Sequence, residues 1–291
     1  MSEKELSEGP LVTVLIPSYN HKQYVADSVN SVLKQTWKQV ELIVIDDGST
    51  DGSMELLSVL SSQYGFKYIA QKNKGLTATL NSVLDSANGK YFCMLSSDDM
   101  AMPDKLEKQV AFMEGRPDVG LCGGSAINIG ADGEPLLKQK VLPYGELDFD
   151  DVYMGQKKGP TAPSMMARTE ALKSVGGYDP DIRLEDMDMW LKLTDGGWKI
   201  ICLEDVFAYY RVHDTNTYKN LEFMLDAQLR SWGKYSDHSG WTEMRNRLLI
   251  STFLKAAKRD KMLAIKLISK IQLRAYNAKV FRGLIRLGLS W

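Results

Sequence analysis

Cysteine is scarce in this 291-residue chain: Cys93, Cys122 and Cys202 stand far apart and match no metal-ligand spacing. Cys93 and Cys202 lie in apolar runs, where a thiol behaves as a small buried hydrophobe, so a reduced, cytoplasmic setting is expected. Long apolar runs are lacking too. Nowhere do about 18 uncharged apolar residues follow one another, and the acidic opening from Met1 to Pro10 has no apolar targeting core. The expectation is a chain with neither a signal peptide nor a spanning helix. Net charge is almost absent, at −1, but residues 221–291 carry 14 Lys and Arg against 5 Asp and Glu, a local +9, which leaves −10 on residues 1–220. The two regions are expected to meet different partners. What the chain does have is apolar content, 44% of its residues, enough for a sizeable core and too much for disorder.

Short β-rich runs alternate with helical patterns from the start. Leu11 to Ile16, a helix over Tyr24 to Gln35 and a run from Val40 to Asp46 read as β-α-β. The alternation continues with a helix over Ser53 to Ser62, a strand near Phe66 to Ala70, a helix over Leu76 to Ala87 and a strand at Tyr91 to Leu95. Near-continuous apolar strands joined by helices predict an α/β fold whose mostly parallel sheet is flanked by helices. A helix from Pro103 to Met113 opens on its proline. The turn-rich stretch from Gly123 to Pro163 reads as a less regular, substrate-shaping insertion. Order returns in a helix around Glu185 to Leu193 and β-like runs at Lys199 to Leu203 and Val206 to Val212, and beyond Asn220 the pattern is helical to the end.

In an open parallel sheet, ligands bind beyond the carboxyl ends of the strands, so residues that follow each strand are the first functional candidates. Three polar clusters sit there: Pro17-Ser18-Tyr19-Asn20, Asp46-Asp47-Gly48-Ser49 and Ser96-Ser97-Asp98-Asp99. The second, taken alone, reads first as a turn with a helix cap. The third is harder to explain that way, because the helix it would cap starts several residues later. Two adjacent carboxylates after an apolar strand repel unless a cation or hydrogen-bond donors compensate them. Mg²⁺ or Mn²⁺ takes oxygen ligands, few of them from protein and the rest from phosphate and water, so an acidic pair suits a nucleotide diphosphate. A dinucleotide-binding dehydrogenase is a weaker rival, because Pro-Ser-Tyr-Asn stands where the glycine-rich turn would be.

Five motifs in order, from Val12 to Tyr218, resemble the family 2 glycosyltransferases: Ile16 to Asn20, Asp46 to Ser49, Asn73-Lys74-Gly75 with Asn81, the Asp98-Asp99 pair, and Glu185-Asp186 with Trp190 and later Tyr210 to His213. The resemblance implies a GT-A fold and an inverting transfer from a nucleotide diphosphate sugar, of UDP or dTDP type, to a hydroxyl acceptor. Tyr19 would stack on the base, Asp47 would accept a hydrogen bond from it and Asp98 would contact the ribose, with Pro17, Asn20, Ser49, Lys72 and Asn73 completing the donor site. Asp99 would bind Mn²⁺ or Mg²⁺, with His213 beside the metal and diphosphate. Asp186 would be the general base, with Glu185 as its catalytic neighbour. Ser96 replaces the acid that often leads the family's triplet, and Thr79-Leu80-Asn81 replaces Ala-Arg-Asn. From the residues themselves, Lys72 and Lys74 suit either a phosphate or a solvated loop. An acidic, exposed helix start likewise reads the same as a perturbed base at Asp186.

The domains expected are a tail at 1–10, the GT-A domain at 11–219 and a basic helical region at 220–291. Residues 251–291 hold 10 Lys and Arg against Asp260 alone, with Phe281, Leu284, Ile285 and Gly288 at helical spacing, Arg282 and Arg286 on another face, and Trp291 at the end. Such a helix suits either an anionic membrane surface or a cap packed on the domain with a solvated basic rim. No nucleic-acid motif accompanies the charge. The enzyme expected is cytoplasmic, peripheral on the inner face of the cell membrane, and acts on a glycan or lipid-linked glycan in O-antigen or capsule synthesis. The alternatives are a catalytically silent sugar-nucleotide-binding module and a lipid-phosphate glycosyltransferase.

Overall fold

The computed structural model describes residues 9–136, 140–182, 184–214 and 216–289. Most of the expected tail, residues 1–8, and Trp291 lie outside the described residues. The chain forms two compact units, one of residues 1–180 with 192–213 and the other of residues 181–191 with 214–291.

In the first unit β1 (Val12–Ser18) is apolar on both faces because it is covered on both, as a central parallel strand must be. It pairs in parallel with β2 (Val40–Asp46) on one side and β4 (Tyr91–Met94) on the other, and β3 (Lys67–Ala70) extends β2. The crossovers are α1 (Val25–Leu33), α2 (Ser53–Tyr64) and α3 (Leu76–Ser86). In α1, Val25, Val29 and Val32 recur at helical spacing and are buried in the core with Trp37 and Leu57. Strand order β3-β2-β1-β4 reverses direction between β1 and β4, the switch point where the crevice of an open sheet lies. Register puts Ser18 opposite Asp46, so two of the polar clusters meet at one level. Pro17 is tolerated in this central strand because β4 pairs only as far as Leu15, and no ladder donor is missed on that side.

Among the described residues the sheet has nine strands in all. The short β5 (Met100–Ala101) pairs antiparallel with β9 (Lys199–Arg211), α4 (Lys105–Glu114) follows β5, and β6 (Val119–Ile129) runs parallel to β9. Between β4 and β6 lies β8 (Met166–Arg168), antiparallel to both, and β7 (Gly145–Leu147) pairs with β9. Half of the sheet is thus parallel and half mixed. The turn-rich stretch departs from expectation: its first seven residues, Gly123 to Ile129, are strand. The glycines that looked like breakers are required by close packing, since a Cβ on Gly124 would stand 2.4 Å from the Asp205 carbonyl oxygen. Among the described residues, irregular chain is confined to the later part of the stretch, around α5 (Phe149–Met154), and α6 (Thr169–Ser174) comes after β8. Glu204 and Asp205, which divide two apolar runs in the sequence, instead lie within the single long strand β9, where the β6 register shifts.

The second unit takes the start of α7 (Glu185–Asp195) and the helices α8 (Leu221–Gly233), α9 (Trp241–Arg259), α10 (Lys261–Ile268) and α11 (Ala278–Leu289). Asn220 and Asp260 cap α8 and α10 by accepting from Phe223 N and Leu263 N. Its core gathers Leu225, Leu249, Phe253, Ala257, Leu267 and Val280. Gly283 lets α11 approach α9, because a Cβ there would overlap the Phe253 ring at 2.2 Å. That contact divides the surface of α11 into three stripes. Val280, Gly283 and Leu287 turn inward, Phe281, Leu284 and Ile285 are exposed apolar residues, and Lys279, Arg282 and Arg286 share the remaining side.

Candidate active site

At the end of β1 the chain turns sharply, with Asn20 in the left-handed region at φ 55°. Asn20 is tied to the loop after β2: its backbone N–H donates to Ser49 Oγ at 2.8 Å and its Oδ1 accepts from Thr50 N at 2.8 Å. Asp46 holds the same loop by accepting from Gly48 N, Ser49 N and Ser49 Oγ. These bonds run from loop to loop, so Asn20 and Ser49 shape the crevice floor. Tyr19, by contrast, presents a half-exposed ring.

Asp47 is buried and clasps a third segment. Its Oδ1 accepts from Gln71 Nε2 and Lys74 N, each at 2.8 Å, and its Oδ2 accepts from Gly75 N at 2.9 Å. Of roughly four lone-pair positions on a carboxylate, one is left for a ligand donor. The clasp brings Asn73 over Gly48, whose added Cβ would stand 3.0 Å from Asn73 N. Lys72, Asn73 and Lys74 are exposed along the loop so formed.

Beyond β4 the four residues Ser96 to Asp99 form a turn closed by Asp99 N donating to Ser96 O at 3.0 Å. The turn sends the two adjacent carboxylates to different places. Asp99 is directed inward, where its Oδ1 accepts from Arg211 N at 2.9 Å. Burial, and then the charge of Asp98, raises the Asp99 pKa well above the usual carboxylate range. Asp98 carries its carboxylate to the histidines: its Oδ2 lies 2.9 Å from His213 Nε2 and its Oδ1 lies 3.9 Å from His21 Nδ1. His21, Asp98 and His213 offer ligand atoms all within 4.8 Å of one another. Asp98 therefore faces the two histidines, whereas the turn directs Asp99 to the β9 backbone.

Arg211 underpins this arrangement and is itself buried. Its guanidinium donates to the Asp98 carbonyl at 2.9 Å, to the Ala131 carbonyl at 3.1 Å and to Asp27 Oδ2 at 3.1 Å, and it lies 4.7 Å from the Tyr24 ring centroid. Tyr24 also stacks with His213, centroids 5.3 Å apart. Burial lowers the pKa of His21 and favours a neutral ring. One carboxylate and two imidazoles form a donor set that fits a divalent cation and leaves positions for phosphate or water.

Glu185 and Asp186 belong to the other unit, at the start of α7. Burial, and then the charge of Asp186, pushes the Glu185 carboxyl up to about 8, and burial raises that of Asp186 as well. Asp186 Oδ1 accepts from Met187 N at 2.7 Å. Asp188, one residue further on, is ion-paired with Lys234 at 2.8 Å.

Sequence reasoning named neither His21 nor Gln71 and gave Ser97 and Arg211 no role of their own. His21 had a signal, since it directly follows the Pro-Ser-Tyr-Asn cluster. Arg211 lay in a quoted motif but reads there only as a charge near a strand end.

Glycosyl transferase family 2 matches residues 13–176 of this chain. TuaG of Bacillus subtilis (strain 168), named as a teichuronic acid biosynthesis glycosyltransferase, is 33% identical over 232 residues, covering 78% of this chain and 88% of TuaG. The glycosyltransferase EpsE of the same strain is 31% identical over 228 residues, covering 75% of this chain and 78% of EpsE. Among solved structures, residues 1–349 of S. aureus TarS with UDP-GlcNAc superpose with a TM-score of 0.65 at 17% identity, covering 91% of this chain and 82% of that one. The mannosyltransferase PcManGT of Pyrobaculum calidifontis, with GDP-Man and Mn²⁺, also gives 0.65, at 16% identity, covering 98% and 88%.

Proposed function

This chain belongs to glycosyl transferase family 2 and is a glycosyltransferase with a GT-A type fold, and from that premise we propose that it moves a sugar from a UDP- or dTDP-sugar, with inversion, to a glycan hydroxyl. The acceptor we infer is a lipid-linked glycan of bacterial surface polysaccharide, O-antigen or capsule. The name of TuaG, from teichuronic acid biosynthesis, supports that class.

The observation that carries this reading is the meeting of Asp98 with His213 beyond the carboxyl ends of β1 and β4, beside the Asp47 clasp. Tyr19 offers a ring face on which a base can stack. The acceptor position left on Asp47 suits the ring N–H of uracil or thymine. Asp98 and His213 would hold Mn²⁺ or Mg²⁺, which when bound would neutralise charge on the diphosphate leaving group. Asp186 would take the proton of the acceptor hydroxyl as its oxygen bonds to the anomeric carbon and the bond to the nucleoside diphosphate breaks. Attack from the face opposite the leaving group inverts the configuration. A raised pKa favours that role, since a base is most effective when its pKa approaches the working pH.

No described helix is long and apolar enough to cross a membrane. Contact with an anionic membrane surface would instead come through α11, whose Phe281 and Ile285 are 57% and 61% exposed next to the stripe of Lys279, Arg282 and Arg286. This would place the enzyme in the cytoplasm, peripheral on the inner face of the cell membrane.

The test is a screen of nucleotide sugars for slow hydrolysis with Mn²⁺ and with chelator, followed by NMR of the product anomer formed with the responding donor and an acceptor. The expected result is turnover of a UDP- or dTDP-sugar that needs the cation and gives an inverted product. Turnover restricted to GDP-sugars, or a retained anomer, overturns the assignment.

A further inference from the structure

His21 stands outside the pair formed by Asp98 and His213, yet its Nδ1 approaches the same carboxylate as His213 does. Two of the separations have the dimensions of a ligand shell. Donors about 2.1 Å from a cation stand about 3 Å apart when adjacent and about 4 Å apart when opposite. His213 Nε2 lies 2.9 Å from Asp98 Oδ2, His21 Nδ1 lies 3.9 Å from Asp98 Oδ1, and all three ligand atoms fall within 4.8 Å of one another. Ser97 Oγ lies 2.8 Å from Nδ1, a contact that a cation taking the Nδ1 electron pair would replace, with the ring proton then on Nε2. Both rings are held by packing. His213 stacks on Tyr24, and His21 meets His213 edge-on with centroids 5.6 Å apart.

We infer that His21 is the third protein ligand of the cation site, which makes the site a two-histidine, one-carboxylate set that selects Mn²⁺ over Mg²⁺. Mg²⁺ demands oxygen donors in near-ideal octahedral geometry, whereas imidazole nitrogen suits first-row transition dications, and three protein donors leave positions for diphosphate oxygens. The inference rests on the proposed cation site and adds to it a ligand and a selectivity.

The test uses the full chain and the metal alone. Mn²⁺ is titrated by the loss of its free-ion electron paramagnetic resonance signal, Mg²⁺ is measured by competition, and bound nitrogens are counted by electron spin echo modulation. The parent chain is expected to show two coordinated imidazole nitrogens and at least tenfold preference for Mn²⁺. His21→Ala should show one nitrogen and bind Mn²⁺ about tenfold or more weakly, since even partners outside the ligand shell are worth 10- to 100-fold. Its Mg²⁺ affinity should change far less, so the preference collapses. His21→Gln keeps the bulk and carries the same expectation should the smaller residue loosen the fold. Two nitrogens persisting in either folded variant, or an equal loss for both metals, overturns the ligand assignment and leaves the glycosyltransferase reading intact. Failure of the parent to bind Mn²⁺ overturns both the cation site and this addition to it.

Discussion

Replacing Arg211 by Met tests whether the carboxylate turn is held from below by one buried guanidinium. Met has similar length and no charge, so the change removes hydrogen bonds and a cation–π contact while leaving most of the volume filled. The buried bond to the Asp98 carbonyl has a charged donor and is worth about 1.5–3 kcal/mol, the bond to the Ala131 carbonyl about 1 kcal/mol, and the contact with Tyr24 about 0.5–2 kcal/mol. The ion pair with Asp27 adds little, because that carboxylate is 56% exposed. The expected loss is about 3–6 kcal/mol. At about 2–4 °C per kcal/mol for a unit of roughly 200 residues, the unfolding midpoint should fall by about 10 °C. Arg211→Lys should fall between parent and Met, since one ammonium cannot reach three acceptors spread around a planar fork. Thermal unfolding followed by circular dichroism makes the measurement. A Met variant within about 2 °C of the parent would show that the guanidinium bonds are not what holds the turn.

Asp98→Ala should abolish Mn²⁺-dependent UDP binding in calorimetry while Asp99→Asn retains measurable binding; the reverse order would restore Asp99 as the metal residue. Asp186→Asn should keep donor and metal binding but lose about 10² to 10⁴ in turnover, because the amide cannot accept a proton; near-parental turnover with saturating donor removes it from the role of base. Glu185 has a folded pKa of about 8 against an ordinary 4.5, so the folded chain holds more protons between those values and stability falls as pH rises through them. Glu185→Gln should therefore melt above the parent at pH 8 and beside it near pH 4.5, and a difference independent of pH refutes the shift. Arg282→Glu with Arg286→Glu should weaken binding to anionic liposomes on the order of 30-fold, from about 1 kcal/mol per cation lost, and the parent's binding should fall with salt; unchanged binding by the folded double variant ends the membrane proposal.

The parallel half of the fold was legible in the sequence because its strands are buried on both faces. Val12 to Ile16 and Leu42 to Ile45 form near-continuous apolar runs that no amphipathic helix would show, and each is followed by a helical period. The mixed half was not, for a different reason at each element. Met166–Arg168 and Met100–Ala101 are only three and two residues long, below what periodicity can register. Gly123 and Gly124 read as breakers because the sequence does not reveal that another chain segment lies against them. Glu204 and Asp205 interrupt an apolar run without interrupting the strand, since the β6 register slips beside them and they meet the sheet irregularly. Patterns report burial, and these residues are in the sheet without sharing its burial.

The site divides along the same line. Which residues gather at the crevice is set by strand ends, and strand ends are set by apolar runs, so Tyr19, Asp47, Asp98 and His213 could be named in advance. Which atom of each faces a ligand depends on turns of three or four residues, where one peptide's rotation exchanges neighbours. Asp98 and Asp99 are equivalent in composition and differ in their partners: the carboxylate of Asp98 meets His213, and the bond from Arg211 N takes Asp99 out of the crevice. That donor lies 112 residues away, on a strand whose pairing beside the turn is made by the two-residue β5. Had β9 ended one residue earlier, the strand would not have offered that N–H from its ladder. Which of the two carboxylates faces His213 is therefore set by where β9 stops, a property of sheet pairing that no local reading of Ser96 to Asp99 contains.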